Sequence, residues 1–422
     1  MNIIDCLEER GLIEAKTSDD LKAITQKPIK LYIGFDPTAD SLHLGSLVGI
    51  VVLRWFQKFG HTPVVILGGA TGRIGDPSGK STERPLLDSP TIEANIRRIR
   101  THFEQVLDFK DLKTLPLLFN NDDWMGKYPF IDFLRDIGKH FRVNVMLTKD
   151  SVKARLEAEE GISFTEFSYQ ILQAYDFYHL YQSHGVILQA GGSDQWGNIT
   201  AGTDLIRKLL GETAYGLTFP LLTRSDGKKF GKTEGGAIWL AADRCSPYDL
   251  YQYLYRVPDA DVIKLMRMLT FMEMEEIRRF EQAMKQPDYI PNSAQKKLAQ
   301  ELTRLLHQEE GLEAALRATQ AAAPGHSAEL NPAVFHQMMK DMPSVKLAKS
   351  EVVDRKFSDI AVQAGLTASK GEAARLITGG GAYLNNERVE DPQLKLTEKH
   401  LIGGEFLLLA AGKKKKILVQ VS

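Results

Sequence analysis

Between residues 30 and 220 four short apolar runs, KLYIGF, TPVVILGG, TLPLLFN and GVILQAGG, alternate with longer stretches of helical character. Strands separated by helices come together in parallel, with the helices covering the sheet, rather than as hairpins. The alternation therefore predicts an α/β fold with a Rossmann-like parallel-sheet domain over residues 1–222. It also predicts where ligands bind, because open parallel sheets receive them at the carboxyl ends of their strands. Two glycine-rich loops follow such ends, GGATGRIGDPSGKSTER (68–84) and GGSDQWGN (191–198).

Downstream the pattern changes. TRSDGKKFGKTEGGA is rich in glycine and lysine, so residues 223–246 are expected to form a loop and connector between domains. From 247 to 320 apolar residues recur at three and four, which predicts a helical domain whose Met and Leu side chains are core. Residues 321–352 lack sustained periodicity and suit a linker with one short helix. The last segment, 353–422, is expected to be a small separate α+β unit: SKGEAARLITGGG suggests a capped helix ending at glycine, followed by strand pairs.

Composition removes several classes. The chain has 422 residues, 43% hydrophobic, with a formal net charge of −1, so it lacks the overall basic excess of many nucleic-acid binders and any basic patch must be local. Cys6 and Cys245 are the two cysteines, too few for a disulfide framework or a cysteine-rich zinc site, and they suit a reducing compartment. MNIIDCLEERGLIEAKT carries both charge signs without a following apolar region, and no stretch runs eighteen apolar residues. A cytoplasmic protein without membrane attachment is expected.

Three segments carry candidate chemistry. DPTADSLHLGS (36–46) places His43 between a strand-like and a helix-like run; alone, such a histidine reads as a surface or packed residue. In TEFSYQILQAYDFYHLYQ (165–182), Tyr169, Gln173 and Asp176 share one helical face among apolar neighbours. That stripe is either solvated or buried around a polar ligand. KFGKT (229–233) sets two lysines around a glycine, either a solvated basic loop or a pair of ammonium groups that close onto a polyphosphate. GKS at 79–81 is not a P-loop, since the required first glycine falls on Ile74, and the absence of GxGxxG argues against a dinucleotide-binding dehydrogenase.

Together these segments resemble bacterial-type tyrosyl-tRNA synthetase, a class I aminoacyl-tRNA synthetase. HLGS (43–46) stands where the class has its HIGH signature and KFGKT where it has KMSKS. YIGFDPTADSLHLGS, GGATGRIGDPSGKSTER, FTEFSYQILQAYDF and GGSDQWGNITAG match in order and spacing. The resemblance extends to an anticodon-recognising helical domain and to a tail similar to an RNA-binding module shared with a small-subunit ribosomal protein. It implies activation of L-tyrosine by ATP, with Mg2+ accompanying the nucleotide and no protein-bound metal, then transfer of tyrosine to tRNA(Tyr) by a homodimer.

The resemblance also implies roles. Thr38 and His43 meet the terminal phosphate in the transition state, and Lys80, Arg84, Lys229, Lys232 and Thr233 are mobile pyrophosphate-binding groups. Gly34, Asp36, Gly192 and Asp194 surround the adenosine ribose. Asp76, Tyr169 and Gln173 hold the tyrosine ammonium, Gln195 lies near its carboxylate, and Tyr32 with Asp176 bind its phenol. Ser46 departs from the family's usual histidine or asparagine, and its shorter reach puts a direct ribose contact in doubt. Lys413, Lys414, Lys415 and Lys416 form a compact patch for tRNA phosphates. Two competing readings are a scaffold that has lost catalysis and a tryptophan-specific synthetase. The lysines of KFGKT and the aspartates argue against the first, and Tyr32 with Asp176 against the second.

Overall fold

Each of the four apolar runs forms a strand. In the computed structural model, which describes residues 2–79, 86–157, 161–233, 236–321, 330, 332–412 and 415–422, they belong to a sheet of six. Its strands are β1 (Ala15–Lys16), β2 (Lys30–Phe35), β3 (Thr62–Leu67), β4 (Leu117–Asn120), β5 (Val186–Gly192) and β6 (Tyr215–Phe219), in the order β1-β6-β5-β2-β3-β4. All neighbours are parallel except β1 with β6. Val64, Val65, Ile66 and Leu67 are all buried, as continuous apolar runs must be when helices cover both faces of a sheet.

The helix Leu47–Lys58 follows β2 and the helix Ser89–Val106 precedes β4, and Phe35 of β2 meets Phe103 edge-on at 4.9 Å between centroids. On the other face Tyr32, Val64 and Ile66 share a core with Phe177, Leu180 and Ile206, from the helices Phe164–His184 and Trp196–Leu210. The ends of the Phe164–His184 helix are set by sequence. Ser163 accepts a bond from the Glu166 N–H at 3.2 Å, and Gly185 takes the left-handed conformation (φ 68°) that closes it.

The chain divides into two compact units, Met1–Arg244 with Pro258–Ala294, and Cys245–Val257 with Gln295–Ser422. This differs from the expected succession of catalytic, helical and tail domains, because the helical stretch is shared between the units. The helices Asp259–Leu269 and Met274–Ala283 belong to the first. There the buried Arg10 guanidinium donates to the carbonyls of Arg267, Thr270 and Met272 and lies 4.1 Å from the Trp55 ring centroid. The periodicity of 247–320 identified helices but held no information about which core each one joins.

The expected connector, apart from Cys245 and Ser246, is likewise part of the first unit. It carries a small hairpin, β7 (Lys232–Thr233) with β8 (Gly236–Ala237), and an isolated bridge between Thr223 and Lys229. In the second unit a sheet in the order β11-β10-β12-β13-β9 is built from β9 (Ser344–Leu347), β10 (Ala382–Leu384), β11 (Glu387–Arg388), β12 (Phe406–Ala411) and β13 (Lys415–Val421). Asn385 and Asn386, both at positive φ (50° and 66°), make the turn between β10 and β11. The anticipated linker holds the short helix Pro332–Asp341 but also β9, which pairs in parallel with β13. Only a pairing partner at the far end of the chain makes SVKL a strand, so no local signal could reveal it.

Candidate active site

The cavity opens where β2 and β5 part. These strands pair from Lys30 to Tyr32, with a register shift after Lys30, and their last shared rung is Tyr32 with Gln189. Beyond it the two carboxyl ends carry Gly34 and Asp36 on one side and Gly192 and Asp194 on the other. This is also where strand order reverses, from β2 outward to β3 and from β5 outward to β6, the usual ligand crevice of such sheets. The resulting cavity, about 280 Å³, is lined by Tyr32, Gly34, Asp36, Thr38, His43 and Ser46 from the first strand and its loop. Asp76, Tyr169, Gln173, Asp176, Gly192, Asp194 and Gln195 line it as well.

At its deep end the Asp176 carboxylate accepts from Trp124 Nε1 at 2.7 Å and from Asn121 Nδ2 at 2.9 Å. Burial pushes Asp176 up to about 7, against the lowering effect of those two donors. Tyr32 is also buried, and its hydroxyl has no hydrogen-bond partner among the described residues. Burial, with Asp176 nearby, drives the Tyr32 hydroxyl well above its ordinary value and keeps it protonated. A buried hydroxyl without a partner, in the same cavity as a carboxylate, is the environment that a ligand able to donate and accept at one atom completes.

A polar chain runs from there to Asp36 and Tyr169. The Asn121 amide also donates to Thr71 Oγ1 at 2.9 Å, Thr71 donates to Asp36 Oδ1 at 2.7 Å, and the Tyr169 hydroxyl donates to Asp36 Oδ2 at 2.8 Å. A side chain at Gly68 would collide with Asp36 Oδ1 and Thr71 Oγ1, so the glycine-rich loop gives these groups room. Asp76 accepts from Gln195 Nε2 at 2.7 Å and the Ser78 N–H at 3.0 Å, while Asn198 Nδ2 donates to Gln173 Oε1 at 3.0 Å. Asp36, Asp76, Asp176 and Asp194 line the cavity, and among the described residues no lysine or arginine does. The walls thus suit an ammonium group, and a polyphosphate must draw its countercharge from elsewhere.

The HLGS and KFGKT segments are neighbours through their backbones. The Leu44 N–H donates to Ile238 O and the Ile238 N–H to Gly231 O, both at 2.8 Å, and His43 bridges Trp239. Gly231 sits at φ 80°, with Leu44 close to where a side chain would project. His43 is exposed, and its Nδ1 accepts from the Ser46 N–H at 3.2 Å, which assigns the proton of the neutral ring to Nε2. Ser46 Oγ lies 3.3 Å from the same Nδ1, so Ser46 orients the histidine.

None of the remaining expected residues is among the described residues that line the cavity. Lys229 is exposed; only the backbone of Lys232 and Thr233 is described; Lys80, Arg84, Lys413 and Lys414 lie outside the described residues. Lys415 is exposed on β13, but Lys416 is buried, its ammonium pushed down to about 8 by burial with the Arg256 charge nearby. Alternation along a strand turns successive side chains to opposite faces, which a run of four lysines conceals.

Residues 24–323 match the family of tRNA synthetases class I (W and Y), and residues 334–419 match the Tyrosine--tRNA ligase SYY-like C-terminal domain. The chain is 55% identical over 420 residues to the tyrosine–tRNA ligase of Protochlamydia amoebophila, covering 100% of this chain and 99% of that one. It is 50% identical over 428 residues to the chloroplastic/mitochondrial tyrosine–tRNA ligase of Arabidopsis thaliana, covering 100% of this chain and 84% of the other. The C-terminally truncated mitochondrial tyrosyl-tRNA synthetase of Aspergillus nidulans superposes with a TM-score of 0.67 at 32% identity, covering 76% of this chain and 94% of that chain. The chain belongs to the tyrosyl-tRNA synthetase family.

Within this synthetase framework, sequence reasoning missed Thr71, Asn121, Trp124, Asn198 and Gln189. Gln189 lines the cavity with its Oε1 buried and without a partner among the described residues. Asn121 and Trp124 stand just past the carboxyl end of β4, so strand position was the signal available for them. The elevated value of Asp176, about 7, gives a pH test. A phenol is accepted best by the ionised carboxylate, so binding favours loss of that proton and weakens as pH falls through the free-state value. Tyrosine affinity is expected to drop several-fold between pH 8 and pH 6, up to about tenfold per unit at the acid end, with the dependence abolished in Asp176→Asn. Equilibrium binding that is flat across this range in the unsubstituted protein contradicts the assignment.

Proposed function

We propose that this tyrosine–tRNA ligase recognises its amino acid at Tyr32 and Asp176 and supplies phosphate countercharge from loops outside the cavity. The observation that carries the reading is the pair itself, a buried hydroxyl without a partner and a buried carboxylate lining one cavity. The substrate phenol donates to Asp176 and accepts from Tyr32. Asp76, Tyr169 and Gln173 receive the ammonium, and Gln195 stands by the carboxylate. ATP lies along the β2 and β5 ends, with Gly34, Asp36, Gly192 and Asp194 about the ribose.

The tyrosine carboxylate attacks the α-phosphorus in line, the bond to the bridging oxygen breaks, and pyrophosphate leaves with that electron pair. The tRNA terminal hydroxyl then displaces AMP from the tyrosyl carbonyl. No covalent enzyme intermediate is needed in the first step, so positioning and electrostatics carry it. Thr38 and the His43 Nε2–H donate to the terminal phosphate, and Lys80, Arg84, Lys229, Lys232 and Thr233 close over the leaving group. The carboxylate-rich wall explains why those cations come from loops. Mg2+ is proposed to arrive with ATP as part of the substrate; no cluster of three His, Cys, Asp or Glu suited to a metal occurs among the described residues.

For tRNA, the exposed Lys415 and its neighbours Lys413 and Lys414 are the proposed phosphate contacts, with Lys416 supporting the strand from its buried face. Deleting the tail is expected to spare adenylate formation and impair charging. Because β9 completes the tail's sheet, the cut belongs before Pro332 rather than at the expected tail boundary of 353. The proposed compartment is the cytoplasm, in keeping with the buried thiols of Cys6 and Cys245; among the described residues no helix is long and apolar enough to cross a membrane.

A second copy of the chain is the proposed partner for the exposed apolar side chains of Phe130, Ile131, Val143, Val145 and Phe164, at 52–71% exposure. Sedimentation at micromolar concentration is expected to give a dimer, and a monomer's mass removes this proposal. In the active site, His43→Ala is expected to slow adenylate formation by at least about tenfold with tyrosine affinity unchanged. Ser46→Ala, which keeps the backbone N–H to Nδ1, is expected to slow it only a few-fold. Comparable losses in single-turnover assays mean that Ser46 makes a nucleotide contact of its own.

A further inference from the structure

The lysine loop is held at its root by a residue outside the cavity. Asp261, in the first turn of the helix Asp259–Leu269, is 2% exposed, and its Oδ1 accepts from the Ser225 N–H at 2.7 Å. One turn on, Lys264 Nζ donates to Thr223 O at 3.1 Å and lies 3.4 Å from Thr223 Oγ1. Thr223 and Ser225 begin the hairpin that carries KFGKT: Thr223 bridges Lys229, the Arg224 N–H donates to Lys228 O at 2.8 Å, and the Gly227 N–H closes a turn on Arg224 O at 3.0 Å. On the opposite side the same segment is tied to the HLGS loop through Gly231 and Ile238.

We propose that Asp261 is a positioning residue for the first chemical step. By fixing the Ser225 N–H, with Lys264 fixing Thr223, it sets the root about which the loop closes and therefore the reach of Lys229 and Lys232 toward the polyphosphate. This rests on the reading of those lysines as phosphate-binding groups. Asp261 Oδ2 is buried with no partner among the described residues. An apolar side chain of similar size fills that space without the penalty of an unsatisfied oxygen, so packing alone does not call for a carboxylate here. Because Asp261 does not line the cavity, its influence is on the lid and not on tyrosine binding.

The test uses the full chain with Asp261→Ala, Asp261→Asn, Ser225→Pro and the Asp261→Ala/Ser225→Pro double variant. Ser225 is the second residue of the Arg224–Gly227 turn, where proline is favoured, so Ser225→Pro deletes the N–H while retaining the turn. Single-turnover adenylate formation is measured beside equilibrium tyrosine binding. Asp261→Ala and Ser225→Pro are each expected to lower the rate about tenfold, with tyrosine affinity within about twofold of the parent. The double variant is expected to be no slower than either single one, and Asp261→Asn, which keeps an acceptor oxygen, to recover most of the rate.

A full rate in either single variant, losses that multiply in the double, or no recovery by asparagine overturns the latch. So does a matching loss of tyrosine affinity, which marks a structural role alone. A Lys229→Ala/Lys232→Ala variant run in parallel separates the two readings. If it is slow while the latch variants are not, the latch fails alone; if it too is unimpaired, the lid reading fails.

Discussion

The active site depends on how the Asn121 side chain satisfies three neighbours at once, two of them, Thr71 and Asp176, buried. Its oxygen accepts from the Ala70 N–H at 2.8 Å, and its amide donates to Thr71 and to Asp176, each at 2.9 Å. Through Thr71 and Asp36 the chain reaches Tyr169, and through Asp176 it reaches Trp124. Buried polar groups persist when their partners are fixed, and here three strand ends and the Phe164–His184 helix supply them. This network holds Asp176 in place before any ligand arrives, while the Tyr32 hydroxyl is left over.

Around that network the molecule separates two electrostatic tasks. The cavity walls are acidic, which serves an ammonium group but opposes a triphosphate. The lysines proposed to bind phosphate stand on a segment joined to the HLGS loop by backbone bonds and to the Asp259–Leu269 helix by Asp261 and Lys264. In the proposed reaction such an arrangement lets cations approach as charge develops on the leaving pyrophosphate, without neutralising the carboxylates proposed to hold the amino acid.

Much of this was legible in the sequence, for reasons that differ by element. The runs that became β2, β3, β4 and β5 are nearly all apolar because both sheet faces are covered, and the i, i+4, i+7 spacing put Tyr169, Gln173 and Asp176 on one face. Asn121 and Trp124 were not legible, because their role arises from contact with Asp176 more than fifty residues away. Arg10 reaching the helix Asp259–Leu269, β9 pairing with the last strand, and Lys416 turning inward are likewise set by partners distant in sequence. Ser46 was identified as the place where the family pattern fails, but its bond to His43 required coordinates.

The central claim is that Tyr32 and Asp176 select a phenol. Phenylalanine leaves both groups buried without the substrate oxygen, at a cost of about 1–3 kcal/mol for each. ATP–pyrophosphate exchange run with tyrosine and with phenylalanine measures this directly. The account predicts that kcat/KM for phenylalanine falls below that for tyrosine by at least about a hundredfold, and that Tyr32→Phe narrows the gap. Comparable values for the two amino acids, or a gap unchanged in Tyr32→Phe, contradict it.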